Sequence, residues 1–141
     1  MISKDIMNEF INTQFPQSKI TVEQVDADSA TIRHKITESE LRPGGTVAGP
    51  VMFLVADCAL YVGILGRIGL VPLAVTTNMN INFLRKPSAD RDIIGVCKLI
   101  KVGKTLAIGE VSVYSDGLPD PVAHAVGTYA IPPKKDQRSD S

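Results

Sequence analysis

Apolar and polar positions alternate along much of this chain, but between Thr46 and Gly66 the alternation gives way to TVAGPVMFLVADCALYVGILG, where Asp57 is the one charged residue. A segment so long and so apolar predicts a helix buried around most of its circumference. Pro50 suits the first turn of that helix, where its missing N–H is not needed, and Gly66 and Gly69 with Pro72 predict its end. Upstream, Ser3 is placed to cap a first helix with Ile2, Ile6, Phe10 and Ile11 on one face. Ile2 and Met7 form its hydrophobic staple, and Pro16 stops it. Alternating runs at residues 20–26 and 30–36, split by Ala27, Asp28 and Ser29, predict a hairpin. Residues 39–49, rich in Gly and Pro, read as a loop.

Everything after Pro72 reads as strand. Residues 73–84 alternate, with Val75, Thr77, Met79, Ile81 and Phe83 on one face and Thr76, Asn78, Asn80 and Asn82 on the other. Further strands are predicted at 92–102, 105–114 and 122–131, joined by turns at Gly103-Lys104 and at 116–121. One helix, two strands, a long apolar helix and four strands in a meander define an α+β fold, an antiparallel sheet wrapped around one long central helix. A single helix does not cover both faces of a broad sheet, and a long bare edge invites pairing, so self-association is expected.

Composition narrows the function. The chain has 141 residues, enough for one domain, predicted over 1–133, with residues 134–141 (KKDQRSDS) as a mobile tail. Lys plus Arg number 15 and Asp plus Glu number 15, so no net field draws the chain to nucleic acid or to an anionic membrane. Cys58 and Cys97 lie in apolar runs without His or Cys at ligand spacing, and read as reduced thiols of a cytoplasmic protein rather than as a disulfide or a metal site. MISKDIMNEF lacks the apolar stretch of a signal peptide. Pro50, Asp57 and Gly63 argue against a membrane span through the long apolar segment.

Asp57 then needs an explanation. Removing an ionised carboxylate from water costs several kcal/mol without a partner, and no cation neighbours it in sequence. It serves either chemistry or a structural bond to backbone in the core, and the helix alone does not choose. The junction from Arg42 to Pro50 carries a second candidate. A helix start presents unpaired N–H groups and partial positive charge, and glycine lets a ligand approach them, so the Gly49 N–H reads either as an oxyanion donor or as part of a tight turn. Eight residues separate Gly49 from Asp57, about 12 Å of helix rise. The two cannot flank one carbonyl within a single chain. If both serve one reaction, Asp57 faces the Gly49 junction of a second copy, and a two-fold dimer holds two such sites.

GGTVAGPVMFLVADCAL, VTTNMNINFLRKP and KVGKTLAIGEVSVYS together resemble the PaaI-type hotdog-fold acyl-CoA thioesterases, in that family's order and spacing. The family usually reads His-Gly-Gly at the helix start, with an acid seven residues after the second glycine; this chain reads Ala48-Gly49-Pro50, with the acid at Asp57. The resemblance implies a homodimer or homotetramer that hydrolyses acyl-CoA without metal or organic cofactor. It makes the Gly49 N–H the group that polarises the thioester carbonyl, and Asp57 of the other copy the general base or direct nucleophile. Thr76 matches a hydroxyl that helps hold the water. Arg42 stands where related enzymes often carry a side-chain amide, which puts a cation near the substrate.

Arg85 and Lys86, which close one strand, and Lys101 and Lys104, which bracket Gly103, are candidates for the phosphates of coenzyme A through charge-assisted hydrogen bonds. His34 is expected to face solvent, His124 to be an ordinary strand residue, and Glu110 to point outward from its strand. The asparagine stripe is expected on a solvated or subunit-facing surface. A non-catalytic acyl-CoA-binding protein is the main rival; a hydratase ranks lower, since the long helix has no histidine.

Overall fold

A computed structural model of the chain describes residues 2–16, 19–42, 46–70 and 75–132. Ser3 caps the first helix, α1 (Lys4–Gln14), its hydroxyl accepting the Ile6 N–H at 3.2 Å. The buried stripe of α1 differs from the predicted one: Met7 and Ile11 are covered, while Ile6 stays half exposed. Residues four apart lie on one line of a helix, so Met7 and Ile11 meet the core together and Ile6 falls on the rim.

The hairpin forms where expected, as β1 (Ile20–Val25) and β2 (Ser29–His34), with Asp26 accepting the N–H groups of Asp28 and Ser29 at its turn. The edge strand β1 is bulged between Val22 and Gln24. There Asn8 of α1 donates to the Val22 carbonyl at 3.0 Å and accepts the Val22 N–H at 2.7 Å. His34 corrects its expectation. The two-residue period of β2 sets it on the face of Ala30 and Ile32, and it is buried with them. The predicted loop also holds regular structure: a 3-10 turn at Glu38–Glu40, then β3 (Leu41–Arg42) paired with β4 (Thr46–Val47). Residues 43–45 lie outside the described residues, as do Pro72 and the predicted tail.

The long helix, α2, spans Gly49–Ile68 with Pro50 in its first turn. It runs through Gly66, predicted to mark its end, and is capped by Gly69 at φ 99°. Gly66 is a point of close approach instead: a Cβ there would stand 2.5 Å from Val25 Cγ2. By length and a mean hydropathy of 1.9 this helix could cross a membrane. Its apolar surface is used by the core, where Val55, Ala59, Leu60 and Ile64 pack with Ile32, Cys97, Val111 and Ala125 of the sheet.

Four more strands follow: β5 (Val75–Phe83), β6 (Ile93–Val102), β7 (Leu106–Ser115) and β8 (Ala123–Ala130). The six-stranded antiparallel sheet has the order β1-β2-β6-β7-β8-β5, and α2 lies across one face of it. This is the expected α+β hotdog architecture, with β1 and β5 as its edges. Glu110 sits on the outward face of β7, between the inward Gly109 and Val111.

Strand β5 breaks the simple alternation at one residue. Thr76 pairs with Tyr129 and Asn78 with Thr128, which leaves Thr77 as an extra residue. The bulge inverts the parity. Thr76 before it, and Met79, Ile81 and Phe83 after it, oppose the inward-facing residues of β8, whereas Asn78, Asn80 and Asn82 point outward and are exposed. The predicted grouping of Thr76 with the asparagines is therefore wrong, and the bulge is the reason.

Candidate active site

Midway along α2, Asp57 lies on the flank that meets the inner face of β5 and β8. Its Oδ1 accepts two hydroxyls, from Thr76 Oγ1 at 2.8 Å and from Tyr129 Oη at 2.8 Å. The Tyr129 hydroxyl also reaches the Asp57 carbonyl oxygen, at 3.2 Å. Among the described residues no donor reaches Oδ2, which leaves that oxygen to take a proton. The acid is half-buried and no cation pairs with it among the described residues, so the two hydroxyls carry its stabilisation. The parity change at Thr77 is what aims Thr76 here.

Tyr129 was not a sequence candidate. It is buried, with its ring 5.9 Å from that of Tyr61, and an aromatic on the core face of a strand reads as packing. A polar-tipped aromatic on an inward position was the available signal, since a buried hydroxyl needs a partner. Burial, and then the Asp57 charge, push its hydroxyl far above the usual tyrosine range, so it stays a donor. The adjacent Cys58 thiol is pushed up to about 12, by burial first and by Asp57 second, and is no thiolate nucleophile at neutral pH.

Gly49 opens α2 at the other end of β5. Its N–H, at the first helical position, has no acceptor within the helix. A Cβ at Gly49 would meet only the Phe83 ring, at an ordinary 3.7 Å, so this chain's own packing does not demand glycine. An open apolar cleft of about 430 Å³ lies beside it, lined by Gly49, Pro50, Phe53, Ile81 and Phe83.

The structure does not bring the predicted cations together. Arg85 follows β5 at the Gly49 end, where its Nε donates to the Pro121 carbonyl at 2.9 Å and its Nη1 stands 3.7 Å from Asp120. Lys86, also exposed, is next to it. Lys101 and Lys104 sit at the β6–β7 turn, at the Asp57 end, as the pairing of Leu106 with Ala130 and of Ala107 with Tyr129 requires. Seven residues of strand, about 23 Å, separate Thr76 from Phe83. The backbone of Arg42 is in β3 opposite Thr46, and its side chain lies outside the described residues.

An antiparallel sheet wrapped on one long central helix is the hotdog fold. The thioesterase superfamily profile matches residues 44–121. The chain is similar to a protein of a Silicibacter species whose crystal structure was described as that of a candidate thioesterase, with 40% identity over 94% of both chains and a TM-score of 0.87. It shares its fold with thioesterase superfamily member 2 of zebrafish, at 20% identity over 94% of this chain and 100% of that one, TM-score 0.83. The PaaI protein of the phenylacetic acid degradation operon of E. coli has the same fold, at 20% identity over 91% and 92% of the two chains, TM-score 0.73. No curated protein matches. The chain belongs to the thioesterase superfamily, and its reaction class is thioester hydrolysis.

Proposed function

We propose that the chain hydrolyses acyl-CoA thioesters in sites completed by a second copy. The observation that carries this reading is Asp57, with two hydroxyls on one oxygen and the other oxygen open. Water attacks the thioester carbonyl carbon while Asp57 Oδ2 takes its proton. The partner's Gly49 N–H stabilises the oxyanion, and the C–S bond then breaks with the proton passing to the departing thiolate. Thr76 and Tyr129 hold the carboxylate in one orientation throughout.

The layout of the chain supports the shared site. Asp57 and Gly49 stand at opposite ends of β5, an edge strand with exposed Val75 and Phe83. Antiparallel pairing of two β5 edges about a two-fold axis sets the Thr76 end of one copy near the Phe83 end of the other. Asp57 then meets the partner's Gly49 and apolar cleft. The same operation gathers Lys101 and Lys104 of one copy with Arg85 and Lys86 of the other, around a single mouth where coenzyme A phosphates bind.

Complementation tests both the reaction and the sharing. Asp57→Asn removes the base, and Gly49→Pro removes the N–H at a position whose preceding residue, Ala48, is already extended at ψ 145°. Each variant alone is expected to be inactive on hexanoyl- and benzoyl-CoA. Mixed after dissociation, they regain about a quarter of wild-type turnover, since half of the dimers are hybrids with one intact site each. No recovery would show that Asp57 of one copy and Gly49 of another do not share a site. Binding of both thioesters by the wild type without turnover would favour the acyl-CoA-binding alternative.

A further inference from the structure

The start of α2 is held from outside the helix. Its N-cap, Ala48, has no side chain able to bond the first turn. Instead the Ala48 N–H donates to the Glu40 carbonyl at 3.0 Å, and the short β3–β4 ladder pairs Leu41 with Val47. The Gly49 amide therefore takes its position from Glu40, one residue removed. Glu40 is itself pinned by its side chain. Oε1 accepts the Thr37 N–H at 2.6 Å and the Thr37 hydroxyl at 2.9 Å. Oε2 accepts Lys19 Nζ at 2.7 Å and the Ser39 hydroxyl. Lys19 Nζ also donates to Thr37 Oγ1 and Ser39 Oγ, both at 2.8 Å.

Lys19 stands just before β1, far from the substrate cleft in sequence, and its ammonium uses all three protons on this one turn. The side chain of Glu40 is 10% exposed and that of Lys19 37% exposed. Burial alone would raise the Glu40 carboxyl, but the donors from Lys19, Ser39 and Thr37 outweigh it and hold the group down to about 2. Glu40 is thus an anion at any working pH.

We propose that Lys19 and Glu40 form a clasp that fixes the Gly49 amide in its catalytic position, which makes both of them positioning residues for hydrolysis although neither touches substrate. The inference rests on the hydrolase reading above. Displacement of an oxyanion donor by about 1 Å is enough to lower turnover by about a hundredfold, whereas a partly exposed ion pair contributes little to stability. The clasp therefore predicts a loss of rate without a matching loss of fold.

The test is steady-state kinetics on hexanoyl-CoA for Lys19→Met, Glu40→Gln and Lys19→Arg, with thermal melting of each. Lys19→Met and Glu40→Gln are expected to lower kcat by about tenfold or more with KM changed by less than about twofold. Lys19→Arg, which keeps charge and donors, is expected to restore most of kcat. Overturning results are a kcat within about twofold of wild type in both variants, or a loss of kcat that follows a collapse in melting temperature and is not rescued by arginine. Asp57→Asn, assayed alongside, separates the two proposals. If it is inactive while the Lys19 and Glu40 variants are normal, only the clasp is wrong. Full turnover by Asp57→Asn, or none by the wild type, overturns the hydrolase reading and the clasp with it.

Discussion

At one edge of the sheet, β1 is six residues long, bulged, and plugged by Asn8, which occupies both polar groups of Val22. At the other edge, β5 runs nine residues with every side chain exposed except those of Met79 and Ile81. Unpaired strand edges recruit other strands, and chains suppress this with bulges, short strands or a cover. Both edges carry a bulge, but only β1 is also short and covered by a helix side chain. The edge left open is the one beside Asp57, Thr76 and the Gly49 cleft. Stability and function thus divide between the two edges: the first is finished by its own helix, and the second is where the proposed reaction needs a neighbour.

The largest effect should come from chemistry at the open edge. Asp57→Asn, which keeps an oxygen for the Thr76 and Tyr129 hydroxyls, is expected to reduce coenzyme A release by about a thousandfold while the dimer and the melting temperature are retained. Turnover near the wild-type rate would remove the open edge's functional role. Next, Val75→Asp combined with Asn82→Asp places charge on the exposed face of β5 in each copy. Sedimentation should show the affinity of the dimer lowered by about a hundredfold or more, and activity should fall with the dimer fraction. A dimer that ignores these charges is built on some other surface.

A smaller loss is expected from Tyr129→Phe. It removes one hydrogen bond to a charged group, so turnover should drop by about tenfold with little change in KM. Equal loss in kcat and in binding of a non-hydrolysable thioether analogue would mean that the hydroxyl merely packs the cleft wall. The smallest effect belongs to the closed edge. Asn8→Ala strips both partners from Val22 and should cost about 1–3 kcal/mol in denaturant unfolding, with turnover unchanged. If Asn8→Ala abolished the dimer instead, the assignment of roles to the two edges would be reversed.

Much of this was legible before any coordinates. Asp57 stood out because it is the sole charge in a long apolar run, and the helix and strands fell within a few residues of their predicted places because their periods are strong. Gly49 was a candidate from the glycine at the helix start, with a tight turn as the alternative, whereas Thr76 came from the family resemblance alone. Tyr129 stayed hidden because its partner is 72 residues away and an inward aromatic looks like packing. His34 was misread because residues two apart in a strand share a face, and Ile32 is buried. The cations were legible as types but not as a group, since only the strand register reveals that they sit at opposite ends of β5. The β3–β4 pair went unread because each of its strands has only two residues, too few for any period to register.

The supernumerary threonine at position 77 is a spacer that the numbering registers and the ladder does not. Excise it, and Thr76 stays opposite Tyr129 with Asn78 opposite Thr128, so plain alternation keeps the hydroxyl on the carboxylate and the three amides in solvent. Force it into the ladder instead, and one half of the strand must roll over. Either the hydroxyl then swings away from the carboxylate, or three amides turn into the oily groove in place of Met79, Ile81 and Phe83. What this strand has to keep is its number of paired residues, not its length.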